Sequence, residues 1–155
     1  MPPNRLSTKI ACRVARLDRQ RFNELVAAGA YPCAPATIPG RARYFDPDDM
    51  VGLWIFRELM EEGYSPNVAG HIACEVSGAA RKSPDAETIT LARHYIAGDV
   101  GFAMRTDQVP APDTWSTAML HGTNIRSATT FNIRYTRELI AYYVAEELSY
   151  IGDDD

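Results

Sequence analysis

The chain has 155 residues, is 46% hydrophobic and carries a formal charge of −4, which suffices for one ordinary core, or two small ones leaning on each other, and excludes a compositionally disordered protein. No apolar run approaches the roughly 20 residues that span a bilayer, and the opening MPPNRLSTK lacks the apolar stretch of a signal peptide, so no membrane role is expected and the cytoplasm is the default. The charge is unevenly laid out: Met1 to Arg57 balances to +4, and Glu58 to Asp155 to −8.

Ser7 or Thr8 can cap a first helix running to about Leu17, with Ile10, Val14 and Leu17 on one stripe. Asp18 is a second N-cap, because its carboxylate can accept the unpaired amide hydrogens of the following turn. The helix after it covers 19–28, with Phe22, Leu25 and Val26 inward and Gly29 as a left-handed terminator. Helix, short turn, helix is the helix-turn-helix unit.

Three prolines between Pro32 and Pro39 force an extended or turning path. GRARYF then alternates, with Arg41, Arg43 and Phe45 on one side and Ala42 and Tyr44 on the other. This predicts a short hairpin, or wing, over 40–45 with Gly40 near its tip. Asp46-Pro47 opens a third helix, with proline at its first position and acids in its first turn. Met50, Leu53, Trp54, Phe56, Arg57 and Met60 carry that helix to Gly63. A fourth begins at Ser65-Pro66 and brings Val68, Ala69, Ile72, Ala73 and Val76 toward Gly78, before Ser83-Pro84 stops it.

Beyond Asp85 the period changes to two, through Ile89, Leu91 and Arg93 and then Val100, Phe102 and Met104. A hairpin fits this pattern, although ETITLARHYIAG is also compatible with a helix. A proline-rich loop spans Val109 to Trp115, a further strand covers Thr129 to Ile133, and a last helix runs from about Tyr135 to Ile151. In that helix Leu139, Ile140, Tyr143, Val144 and Leu148 follow helical spacing. The expected architecture is mainly α with a β-wing: an N-terminal winged helix-turn-helix over 1–80 and a C-terminal α+β part over 85–155 that ends in a helix.

The pieces RLDRQRFNELVAAGAYP, GRARYFDPDDM and RELMEEGYSPNVAGHI resemble, in order and spacing, the DNA-binding half of the mercury-resistance-regulator (MerR) superfamily of winged-helix transcription factors. Phe22, Gly29, Pro32, Arg43, Tyr44, Phe45, Asp49, Met50, Gly63, Tyr64, Ser65 and Ile72 carry the match, which covers about half the chain. Three departures accompany it. Asn23-Glu24-Leu25 stands where the family's recognition helix has Arg-Tyr-Tyr, Ser83-Pro84 interrupts where a long dimerisation helix usually follows, and the metal-sensing cysteines are absent.

The resemblance implies a cytoplasmic, sequence-specific transcriptional regulator that binds double-stranded DNA as a homodimer. Its C-terminal region would serve dimerisation or receive a small-molecule or protein effector. Arg19, Gln20, Arg21 and Asn23 lie between the inward positions of the second helix, where they can reach base edges in the major groove. Arginine can clasp a guanine, and Gln or Asn an adenine, through paired hydrogen bonds. Arg41 and Arg43 would hold the backbone beside the groove, and Arg13 and Arg16 on the first helix would add phosphate contacts, each releasing condensed counterions. Taken without the wing, 19–23 reads equally as a solvated helix face, and Arg43 as a partner for Asp46 or Asp49. An excisionase-like architectural protein of a phage or mobile element, or a winged-helix protein-interaction module, stands as the alternative function.

No catalytic motif appears and no cofactor is implied, so an enzyme is not expected. His71, His94 and His121 are too far apart for a zinc pattern, and His71 is read as a hydrogen-bonded core residue. Cys12, Cys33 and Cys74, an odd number at wide spacing, are read as small buried hydrophobes rather than as disulfide partners or sensors. Trp115, His94 and Tyr95 could line a ligand pocket, with core packing as the plainer account.

Overall fold

Short polar residues set the helix starts. In the computed structural model, which describes residues 5–37 and 43–153, Ser7 accepts the Ile10 N–H ahead of α1 (Thr8–Ala15), and Asp18 accepts the Arg21 N–H ahead of α2 (Arg19–Ala27). Gly29, at φ +79°, closes α2 in a Schellman arrangement: its own N–H bonds the Val26 carbonyl, and the Ala30 N–H bonds that of Leu25. Asp46 and Asp49 form a reciprocal capping box at the start of α3 (Pro47–Glu61), and Ser65 caps α4 (Pro66–Lys82). The fourth helix therefore runs through Gly78 and stops at the Ser83-Pro84 break.

Only part of the expected wing falls within the described residues. Leu6–Ser7, β1, pairs antiparallel with Tyr44–Phe45, β2, in register Leu6↔Phe45. The proposed hairpin tip, with Gly40 and Arg41, lies in 38–42, outside the described residues. Among the described residues the Tyr44–Phe45 strand pairs with the segment leading into the first helix, which periodicity did not mark as a strand.

The second half is an antiparallel sheet in the order β4-β3-β6-β5, made of β3 (Thr88–His94), β4 (Phe102–Arg105), β5 (Met119–Leu120) and β6 (Thr123–Asn132). The hairpin reading of 88–105 holds, and the helical alternative does not: β3 is an interior strand paired with β4 and β6, with Ile89, Thr90, Leu91 and Ala92 all buried. The strand expected at 129–133 begins earlier, at Thr123, and the last helix, α5, spans Ile133–Asp153. Overall the chain is a mixed α/β protein with small antiparallel sheets.

One apolar core runs through both halves of the sequence. Val14 of α1, Leu53 and Phe56 of α3, Ile72 and Val76 of α4, Ile89 and Leu91 of β3, and Ile133 and Ile140 of α5 belong to the same buried cluster. An ionic clamp ties the same helices at the surface. Arg81 of α4 reaches Asp46 at 2.8 Å and Asp49 at 2.9 Å, while Arg137 of α5 reaches Asp48 at 3.0 Å and the carbonyls of Ala80 and Pro84.

Candidate nucleic-acid interface

Of the nine residues of α2, only Phe22 is fully buried. Its ring meets Tyr31 edge-on with centroids 5.6 Å apart and lies 6.1 Å from Phe45 of β2, while Tyr31 packs 4.8 Å from Phe56. This aromatic cluster pins α2, the loop after it and β2 to α3. Burial pushes the Tyr31 hydroxyl far above its ordinary pKa, so the ring sits in the core as a neutral phenol.

The candidate contact residues on α2 face outward. Arg19, Gln20, Arg21 and Asn23 are all exposed. Among the described residues, Arg19 and Arg21 make no ion pair and no side-chain hydrogen bond, whereas Gln20 donates to Glu24 at 3.4 Å. At about 100° of rotation per residue, Gln20 stands opposite Phe22, with Arg21 and Asn23 on the two flanks of that ridge. The four side chains therefore form a broad polar surface rather than one stripe.

The remaining arginines are placed differently. Arg16 ends α1 in a left-handed conformation at φ +60° and donates to the Tyr143 hydroxyl at 3.1 Å, its guanidinium lying over that ring. Arg13 lies 4.0 Å from Glu147, also on α5, with its side chain 58% exposed. Arg43 donates to the Pro35 carbonyl, and Arg81 occupies the Asp46 and Asp49 carboxylates suggested as its structural partners. Arg41 lies outside the described residues. Four candidates are thus grouped on α2, while Arg13 and Arg16 point toward α5 and Arg43 braces the loop between α2 and β2.

The cysteine reading needs correction. Cys33, in that same loop, is joined to Cys74 of α4 by a disulfide, with Cα atoms 5.6 Å apart. A sequence separation of 41 residues carried no sign of the pairing; the α4 crossing makes it. Gly70 comes so close to Ala30 that an added Cβ would sit 1.8 Å from its carbonyl oxygen. One turn further along the same face, Cys74 meets Cys33. Cys12 does match the expectation: it is a buried thiol, and burial pushes its pKa up to about 11.

The histidine reading is also revised. His71 is half-buried at the rim of a depression, with Nδ1 2.7 Å from its own helix's Asn67 carbonyl, so it is not a core residue. The buried histidine is His94, whose Nδ1 accepts the Ile96 N–H. Its Nε2 lies 3.4 Å from Asp99 in a geometry that makes no hydrogen bond, so that nitrogen has no hydrogen-bond partner among the described residues. Tyr95 is exposed and Trp115 donates to the Pro110 carbonyl, so the three aromatic candidates occupy separate environments.

Two hollows are relevant to a ligand. One of 440 Å³ lies between α3, β6 and the start of α5, lined by Glu58, Glu62, Arg93, Thr130 and Tyr135. A more open one of 630 Å³ faces the disulfide and includes His71, Glu75 and Asp99. Among the described residues no three His, Cys, Asp or Glu side chains are placed to hold a metal ion, and no helix is long and apolar enough to cross a membrane. No protein-family model matches the chain, and no curated protein matches it.

Proposed function

We propose that this protein is a sequence-specific DNA-binding regulator that enters the major groove with the outer face of α2. In this reading α1, α2 and the β1–β2 pair form a winged helix-turn-helix of the MerR type, acting in the cytoplasm. The observation that carries the reading is the state of α2. It is capped, anchored by the buried Phe22 with Leu25 and Val26 half-buried beside it, and its exposed Arg19 and Arg21 have no partner among the described residues. An arginine held out on a rigid helix has its donors available for guanine O6 and N7, and Gln20 and Asn23 can address adenine. Arg41 in the wing would add a phosphate contact, and Arg43, through the Pro35 carbonyl, would steady the wing's base.

The regulator would bind as a homodimer, with two copies of α2 spaced about one helical turn of DNA apart. Exposed Tyr135, Tyr142 and Leu148 on α5 support an intermolecular role for that helix. The 440 Å³ hollow supports an effector site in the C-terminal half.

The test begins by recovering bound fragments from sheared genomic DNA, then measuring anisotropy of a labelled duplex against salt. Replacing Arg19 and Arg21 together with Ala should weaken the selected sequence by about 10- to 100-fold for each guanine read. Thermal stability should stay unchanged, because neither side chain contacts the core. Equal affinity of the double variant for its selected site would remove α2 from the interface. No salt-dependent binding by the parent protein would remove DNA altogether.

A further inference from the structure

We propose that the Cys33–Cys74 disulfide is a reversible thiol–disulfide exchange site, opened by a dithiol reductant, that controls how firmly α2 is presented. The functional consequence rests on the DNA-binding reading above; the exchange chemistry does not.

Location is the first argument. The disulfide ties the segment between α2 and β2 to α4, a helix buried along one face in the core. That segment leaves α2 at Gly29, passes the Ala30–Gly70 contact and the buried Tyr31, and reaches Pro35, whose carbonyl holds Arg43. The exit of α2 and the carbonyl that holds Arg43 therefore lie on the short segment that Cys33 ties to α4. Tyr31 and Phe22 remain as anchors when the bond opens, so reduction loosens the arrangement without dismantling it.

Access is the second argument. Cys33 is exposed, Cys74 is half-buried, and both line the open 630 Å³ depression, so a reductant can reach the bond from outside. The third is an asymmetry between the two sulfurs. The Cys33 N–H points at Cys74 Sγ from 3.2 Å, a donor in place for negative charge developing on that atom. A thiolate of the reductant attacks the Sγ of Cys33, the more exposed residue of the pair, and forms a mixed disulfide there. The S–S bond breaks with its electron pair leaving on Cys74, which then takes a proton. The reductant's second thiol attacks its own sulfur in the mixed disulfide and releases Cys33 as a thiolate, which is also protonated. Two electrons pass from the dithiol, now a disulfide, to the protein, now a dithiol. Intracellular disulfides, where they occur, are mostly transient and redox-sensing.

The full-length protein, purified without reductant, is treated with iodoacetamide before and after incubation with millimolar dithiothreitol and weighed by mass spectrometry. The untreated chain should take no rapid label, because its remaining thiol, Cys12, is buried; the reduced chain should take two labels, on Cys33 and Cys74. Reduction should lower the melting temperature by roughly 5–15 °C and weaken DNA binding about tenfold, the loss expected if the competent arrangement falls to a tenth of the population. Reoxidation should restore both. The doubly substituted C33S/C74S protein should match the reduced state and ignore the reductant.

Labelling of Cys33 without reductant, a bond that resists dithiothreitol in the folded chain, or undiminished DNA affinity after proven reduction would each overturn the proposal. If neither state binds DNA, the DNA reading fails by itself. Hydrogen exchange over 19–37 then decides whether the bond controls α2: faster exchange on reduction supports the proposal, and no change overturns it.

Discussion

Two neighbouring helices show opposite ways of belonging to a fold. In α3, Met50, Val51, Gly52, Leu53, Trp54, Ile55, Phe56 and Leu59 are all buried, so its position is secured over most of its length. In α2 only Phe22 is fully buried, with Leu25 and Val26 half-buried against the core, and the helix is otherwise held at points: the Asp18 cap, the Gly29 turn and, further on, Cys33. A nine-residue helix is too short to persist alone in water, so its order is lent by these contacts. The cost of keeping such a helix is modest, and its benefit is an ordered surface that the fold does not consume.

The strongest way to break this contrast is at the one fully buried side chain of α2. Phe22→Ala should cost about 3–5 kcal/mol, the usual loss for a buried aromatic truncated in a packed site, read from urea unfolding. The local signature matters as much as the total. Amides of 19–28 should lose protection well before those of α3, whereas a uniform loss across both helices would mean that α2 is as integral as its neighbour.

The close approach of α4 to the exit of α2 offers a sharper, paired comparison. Gly70→Ala places a methyl 1.8 Å from the Ala30 carbonyl oxygen, so backbone must move; overpacking of this kind costs about 1–3 kcal/mol. Gly78→Ala, on the same helix, meets nothing within 4 Å and should stabilise by about 0.5–1 kcal/mol through lost unfolded-state freedom. Two identical changes with opposite signs would show that the first is a contact and not a propensity effect. Equal shifts in the melting temperature would refute the Ala30–Gly70 packing.

What could be read in the sequence was local. The caps at Ser7, Asp18, Asp46 and Ser65 act within one turn, Gly29 acts at the next residue, and the inward set of α2 follows from spacing alone, so these features needed no knowledge of the rest of the chain. Strands β1 and β5 are two residues long, too short to show a period, and were missed. The fate of Arg16 depends on Tyr143, 127 residues away, and Arg13 likewise meets a residue of the last helix. The Cys33–Cys74 pair required knowing where α4 crosses the loop. For the candidate site, exposure of Arg19, Gln20, Arg21 and Asn23 was legible as the complement of the apolar stripe. The departure of Arg13, Arg16 and Arg43 from the expected surface was not, because each is decided by a partner distant in sequence or by a loop conformation.

The smallest effect concerns the start of α3, whose cap is ionic where that of α2 is a lone carboxylate. At Asp46, burial raises the pKa, but the hydrogen bond from Arg81 and the Asp49 N–H outweigh it, and the net shift is downward. At Asp49 burial prevails, helped by the charge of Asp46, and the pKa is raised. The signs oppose. Ionised Asp46 contributes stability that is present above its unfolded pKa, near 3.9, and is lost as the pH falls through its lower folded value. Asp49 costs stability at neutral pH, and protonation through its raised pKa relieves that cost. Asp46→Asn should therefore destabilise by about 1 kcal/mol at pH 7, as expected for a partly exposed ion pair that is also a cap, and the gap from the parent should narrow as the pH falls below the ordinary carboxylate range. Asp49→Asn should cost less at pH 7, because it removes a carboxylate that burial already disfavours. Urea midpoints measured as the pH is lowered decide the matter: a deficit in Asp46→Asn that does not change with pH at all would show that the side chain serves by shape and hydrogen bonding alone, and that α3 is held by its core with no help from Arg81.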